Sequence, residues 1–238
     1  VVVNPGEKKE ISFESGIAGT YLYWIKLGTP LMDHEEEQLG GGLIIDPKGG
    51  SPPDRVLVIN IFGIPIDTAL FKNGYLESLT INGKSWPYTE PITQSVGDTI
   101  RWRVINSSIR SHPMHLHGFN FTELSLGSVL SDSIFKPGYE PKIVTQNMNG
   151  QSTMSLKWVA SRPGTWLFHC HLSFHVTPDI RLPGASELDP PNQRPHMAGL
   201  VIGINIKPGP SDLISKGPAR EFTLYANSSF PANSARNS

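Results

Sequence analysis

The sequence has one cysteine in 238 residues, so no disulfide can form within the chain. It has no apolar run of roughly 18 residues, which excludes an ordinary membrane-spanning helix. Its formal net charge is only −1, so neither nucleic acid nor an anionic membrane is an expected partner. No amphipathic pattern of about 12 residues emerges, which argues against a helix bundle. The opening Val1-Val2-Val3-Asn4 lacks the basic start and apolar stretch of a secretory signal, so the compartment is not legible there. What the chain does have is turn formers, 23 Gly and 21 Pro, against 38% hydrophobic residues, the balance of a turn-rich globular β protein. It also has eight histidines, seven of them between positions 112 and 196, together with the sole cysteine.

Short apolar, β-branched segments read as strands at 8–13, 20–25, 43–45, 56–62, 79–81, 99–105, 119–126, 142–146, 153–159, 165–169 and 200–206. Asn82-Gly83, Gly97-Asp98, Pro137-Gly138, Asn149-Gly150 and Pro163-Gly164 punctuate them as turns. The run from Asp46 to Pro53 has the composition of a linker. The expected class is therefore all-β: residues 51–210 form one complete β-sandwich, and residues 1–50 form part of another unit that an upstream or partner segment completes. Residues 211–238 read as a tail or the start of a further domain, with Asn, Ser and Ala enriched from Asn227 on. Glu35-Glu36-Glu37 reads as a solvated face, and His34 as an ordinary surface or packed histidine.

Two motifs carry the chemistry: His112-Pro113-Met114-His115-Leu116-His117-Gly118, and His169-Cys170-His171 with His175 following. On strands, side chains alternate between faces. His115 and His117 then share a face, as do His169 and His171, while His112 and Cys170 point the other way and His175 joins them from the following loop. The set of two His and one Cys suits a trigonal copper site with a weak axial ligand. The four imidazoles behind it suit copper as well, with room for more than one ion. Zinc is the rival metal, because Cys/His sets bind it too, but it does not explain seven clustered ligands of opposite parity. Cys170 lies between two of the rear ligands, so the pattern implies electron transfer from one metal site to the other. His196, at the end of a Pro-rich stretch, stays open between a ligand and a bystander.

At these residues the chain resembles the multicopper oxidases, the family of the laccases, whose motifs HPxHLHG and HCHxxxH both occur here in order. The resemblance implies a cupredoxin-like Greek-key sandwich. It makes His112, Cys170 and His175 ligands of a type 1 copper, with Cys170 and His175 the route of electron entry. His115, His117, His169 and His171 become half the ligands of a trinuclear type 2/type 3 site that reduces dioxygen. It places the axial position of the type 1 site at Leu200 rather than Met197. The stretches 19–24 and 38–47 resemble the end of a family cupredoxin domain, but Tyr23-Trp24-Ile25-Lys26 stands where many members carry a His-x-His pair, and an HWHG motif is absent. The remaining copper ligands are therefore expected from another domain, chain or subunit.

The function implied is a laccase-like copper oxidoreductase. It oxidises phenolic, aromatic or metal donors and passes the electrons to dioxygen. The alternative is a cupredoxin-like electron carrier or copper-binding protein without oxidase activity, and a zinc hydrolase is a distant third. The family resemblance places the protein in the periplasm or outside the cell. Asp179, Arg181, Glu187 and Asp189 lie in the loop after His175, where a donor would dock, and read as solvated charges. Asn106, Asn120 and Asn227 begin short glycosylation-type sequons. Met114, Met148, Met154 and Met197 read as packing residues rather than copper ligands.

Overall fold

The computed structural model of the chain describes residues 1–26, 38–50, 52–66, 74–176 and 197–209. The strands are β1 (Gly19–Trp24), β2 (Gly40–Ile45), β3 (Arg55–Ile66), β4 (Gly74–Ile81), β5 (Ile92–Ser95), β6 (Thr99–Asn106), β7 (His112–Leu116), β8 (Phe121–Gly127), β9 (Asp132–Ile134), β10 (Lys142–Ile143), β11 (Thr145–Met148), β12 (Ser152–Val159), β13 (Gly164–Cys170) and β14 (Val201–Lys207). The single described helix is one turn, α1 (Ser173–Val176). No helix among the described residues is long and apolar enough to cross a membrane.

Two sheets face each other. One runs β10-β8-β12-β6-β3-β4, with β9 paired to β8; the other runs β11-β7-β13-β14-β5. Their period-two burial explains why these segments are strands. In β6, Ile100, Trp102 and Val104 turn inward while Thr99 and Arg101 face out. The core between the sheets is aromatic at its centre: Trp102 meets Trp158 and Phe168 edge-on at centroid distances of 5.4 and 5.1 Å. Met114, Met148 and Met154 are all buried in this core.

β1 and β2 form a separate antiparallel hairpin. It lies against the first sheet through polar bonds. Thr20 N donates to Asp132 Oδ2 at 2.8 Å, Thr153 Oγ1 donates to Thr20 O at 3.2 Å, and Asn60 Nδ2 donates to Gly40 O at 3.2 Å.

Three local expectations are corrected. Residues 8–13 form no strand: Ile11 and Phe13 are exposed, and no strand among the described residues pairs with them to make their alternation useful. The segment 119–126 starts only at Phe121, because Gly118 turns the chain with φ of +76°. The stretch 142–146 is two strands in different sheets. β10 pairs with β8, and β11 pairs with β7, so the chain changes sheet at Val144.

Candidate metal centre

β7 and β13 are neighbours, and their register decides the site. His169 stands opposite His115, and Cys170 opposite Met114. Alternation then sends Cys170, Met114 and His112 into the core and His169 and His115 to the other face. His112 and Cys170 are both 0% exposed, and His175, brought in by α1, is 1% exposed.

Inside, three donor atoms converge. His112 Nδ1 lies 3.1 Å from His175 Nδ1, and Cys170 Sγ lies 3.4 Å from His175 Nδ1 and 3.8 Å from His112 Nδ1. A first-row ion held at about 2.0 Å by nitrogen and about 2.3 Å by sulfur in a trigonal plane would space its ligand atoms by roughly 3.5–3.7 Å. The observed separations bracket that value, so the three residues fit a metal ion. His112 is pushed down to about 3, by burial first and then by His175 and Arg110; His175 is pushed down to about 4, by burial and Arg110, with Glu77 opposing. Both rings are therefore neutral at ordinary pH and offer lone pairs. Burial pushes the Cys170 thiol up to about 11. A cation in the site would reverse that, because a coordinating thiol loses its proton outright.

On the other face four imidazoles gather. His117 Nε2 and His169 Nε2 lie 2.8 Å apart, His115 sits 4.7 Å from His171 between ring centroids, and His169 stacks on His171 at 5.3 Å. His169 Nδ1 donates to Cys170 O at 2.7 Å, and His115 Nδ1 donates to Val144 O at 2.9 Å. A carbonyl only accepts, so both rings carry their proton on Nδ1 and leave Nε2 bare. Burial and the neighbouring rings lower the pKa of His115 and His169. His171 is exposed and His115 and His117 are half-buried, so this cluster is at the protein surface.

Residues 198–200 are fixed beside the buried site. Cys170 N donates to Leu200 O, and Leu200 N donates to His175 O, both at 3.1 Å; Leu200 itself is 0% exposed. Met197 is only partly buried against the core. His196, His34 and the charges at 179–189 lie outside the described residues.

A match to the multicopper oxidase family model covers residues 61–182. The chain belongs to the multicopper oxidase family. Laccase-4 of rice (Oryza sativa subsp. japonica) is 34% identical over 101 residues, covering 37% of this chain and 17% of the relative. A probable nitrite reductase-hydroxylamine oxidoreductase fusion protein of Kuenenia stuttgartiensis is 25% identical over 189 residues, covering 74% of this chain and 20% of the relative. Among solved structures, the blue copper oxidase of Nitrosomonas europaea superimposes with a TM-score of 0.57 at 22% identity, over 82% of this chain and 57% of that one. That likeness is one of fold, and it is a cupredoxin β-sandwich fold. The chain spans about a fifth of these curated relatives. Copper is the metal that the family implies, and the His112/Cys170/His175 group is chemically suited to it.

Several neighbours of the site are not evident from the motifs. Ser108 Oγ lies 2.8 Å from His112 Nε2. Arg110 makes a two-pronged ion pair with Glu77, and both act electrostatically on His175. Asn106, the start of a sequon, is 0% exposed with both amide hydrogens donated to backbone carbonyls, so it is closed to a glycan. Asn120 is exposed, and Asn227 lies outside the described residues.

Proposed function

We propose that this chain is the electron-entry part of a laccase-like multicopper oxidase, in which phenolic, aromatic or metal donors are oxidised and dioxygen is reduced to water. The observation that carries the proposal is the placement of two ligand sets back to back across one residue: His112, Cys170 and His175 inside, and His115, His117, His169 and His171 outside. Bound copper supplies one-electron redox chemistry at the sulfur site and dioxygen reduction at the imidazole cluster. Cys170 would hold the inner ion as thiolate, with His112 and His175 as its nitrogen ligands. Leu200, whose backbone is bonded to both Cys170 and His175, would stand beside that ion in preference to Met197. A leucine there would offer no sulfur donor, and bound copper would have a higher potential than beside a methionine. The backbone of Cys170 joins its sulfur to the rings on either side, a covalent path of a single residue. The donor docks at the edge of α1, where Phe174 is exposed beside His175.

The outer imidazoles provide four ligands at an open surface, and the rest come from another domain, chain or subunit. In this reading residues 1–50 are the C-terminal part of a ligand-free cupredoxin domain, 51–210 the copper domain, and 211–238 a tail or the start of a further domain. The setting is periplasmic or secreted, as the family resemblance implies.

Copper reconstitution tests the reading. The oxidised chain should turn intensely blue with narrow copper hyperfine splitting; a colourless copper-loaded chain refutes it. Oxygen uptake with a phenol then separates oxidase from carrier. Uptake restored by adding a fragment that bears the missing His pairs supports the oxidase. A blue chain inert under every such addition supports the electron carrier.

A further inference from the structure

The turn ahead of His112 contains a hydrogen-bond chain whose direction can be worked out atom by atom. Asn106 Nδ2 donates to Arg110 O at 2.7 Å and to Asn149 O at 2.8 Å. Both partners only accept, so this arm of the amide is the NH2. The other arm, Oδ1, accepts from Ser108 N at 3.1 Å, a group that only donates. The orientation of the amide is thus fixed from both ends.

Ser108 Oγ lies 2.8 Å from that Oδ1 and 3.3 Å from Arg110 O. Neither neighbour has a hydrogen to give, so the one hydroxyl hydrogen points at this pair, the nearer being Asn106. The lone pairs of Oγ are left for Arg110 N at 3.2 Å and for His112 Nε2 at 2.8 Å. The hydrogen in the last bond must come from the ring. A neutral imidazole carries only one N–H, so Nδ1 is bare, and Nδ1 is the atom that faces Cys170 and His175. Asn106, Ser108 and His112 are all 0% exposed, so water does not compete.

We propose that Asn106 and Ser108 are positioning residues that lock His112 in its Nε2–H tautomer, so that Nδ1 presents a lone pair to the inner metal site. The role rests on the metal-centre reading above. It makes the two nitrogen ligands unequal. His175 Nε2 is buried with no hydrogen-bond partner among the described residues, so its ring lacks such a lock. It also inverts the outer cluster, where carbonyls hold the proton on Nδ1 of His115 and His169.

The test begins with the metal-free wild-type chain. Long-range proton–nitrogen correlation of the histidine rings should place the His112 hydrogen on Nε2; a hydrogen on Nδ1 overturns the proposal without any variant. Ser108→Ala should scramble the tautomer and weaken cupric-ion affinity by about 10–100-fold, the usual cost of removing a partner behind a metal-ligating histidine. Ser108→Thr, which keeps the hydroxyl, should recover most of it. A folded Ser108→Ala with wild-type tautomer and wild-type affinity overturns the proposal. Wild-type protein that shows the Nε2–H tautomer but binds no cupric ion overturns the metal-centre reading instead.

Discussion

Gly199 is the tightest point at which backbone geometry controls the inner site. Its φ is +70°, and a Cβ added there would lie 2.2 Å from the carbonyl oxygen of His175. Gly199→Ala therefore incurs two costs. A left-handed conformation costs an L-residue about 1–2 kcal/mol, and overpacking against a well-packed neighbour costs about 1–3 kcal/mol. The expected destabilisation is roughly 2–5 kcal/mol. The contact falls on backbone, so no side chain can swing away. Relief must come from α1 or from residues 198–200, either of which strains the Leu200 N–H bond to His175 O. The loss should therefore appear twice, as a lower urea midpoint with unchanged slope and as weakened copper uptake with reduced blue absorption. A variant within 0.5 kcal/mol of wild type (roughly the noise of a surface substitution) and with full copper uptake refutes the argument that this glycine positions His175.

Gly118→Ala should also destabilise by a few kcal/mol, because its φ is +76° and a Cβ would lie 2.3 Å from the Trp166 ring; thermal melts by circular dichroism check it. Cys170→Ser should keep the fold yet abolish the blue absorption, since an alcohol does not replace the thiolate; a blue Cys170→Ser protein would exclude Cys170 as the ligand. Copper at a free concentration of about a thousand times its Kd should stabilise by about 4 kcal/mol, a rise of roughly 8–16 °C in Tm that chelation reverses. The metal-free protein should lose stability as pH falls below about 6.5. Burial pushes the pKa of His112 down to about 3 and that of His175 down to about 4, so the unfolded chain takes up protons first as the pH falls. The slope is at most about 1.4 kcal/mol per pH unit for each ring, and His112→Gln should flatten it in urea titrations.

The two His motifs were legible as chemistry because the strand repeat of two is a covalent property of the chain. From it follow the opposite faces of Cys170 and His169; the all-β class was legible in short β-branched segments set between turn formers, and the turn at Asn82-Gly83 in two residue types that tolerate the φ of +51° and +74° found there. Lys8 to Phe13 shows the limit: an alternating segment becomes a strand only where a partner edge awaits it, and none among the described residues does. The split at Val144 has the same origin, since a chain cannot announce which of two sheets it will join. Where Leu200 falls relative to Cys170 and His175 depends on a backbone crossing from β14, far off in sequence. The direction of the Asn106–Ser108–His112 bonds depends on the carbonyls of Arg110 and Asn149, which only folding brings to one amide. Sequence alone determined which side chains are candidate ligands, from their chemistry and spacing, and which face each takes, from the local geometry of a strand. The tertiary structure decided how near those donors come and which nitrogen His112, His115 and His169 present, because distance and proton position are set by partners that the chain meets only when packed.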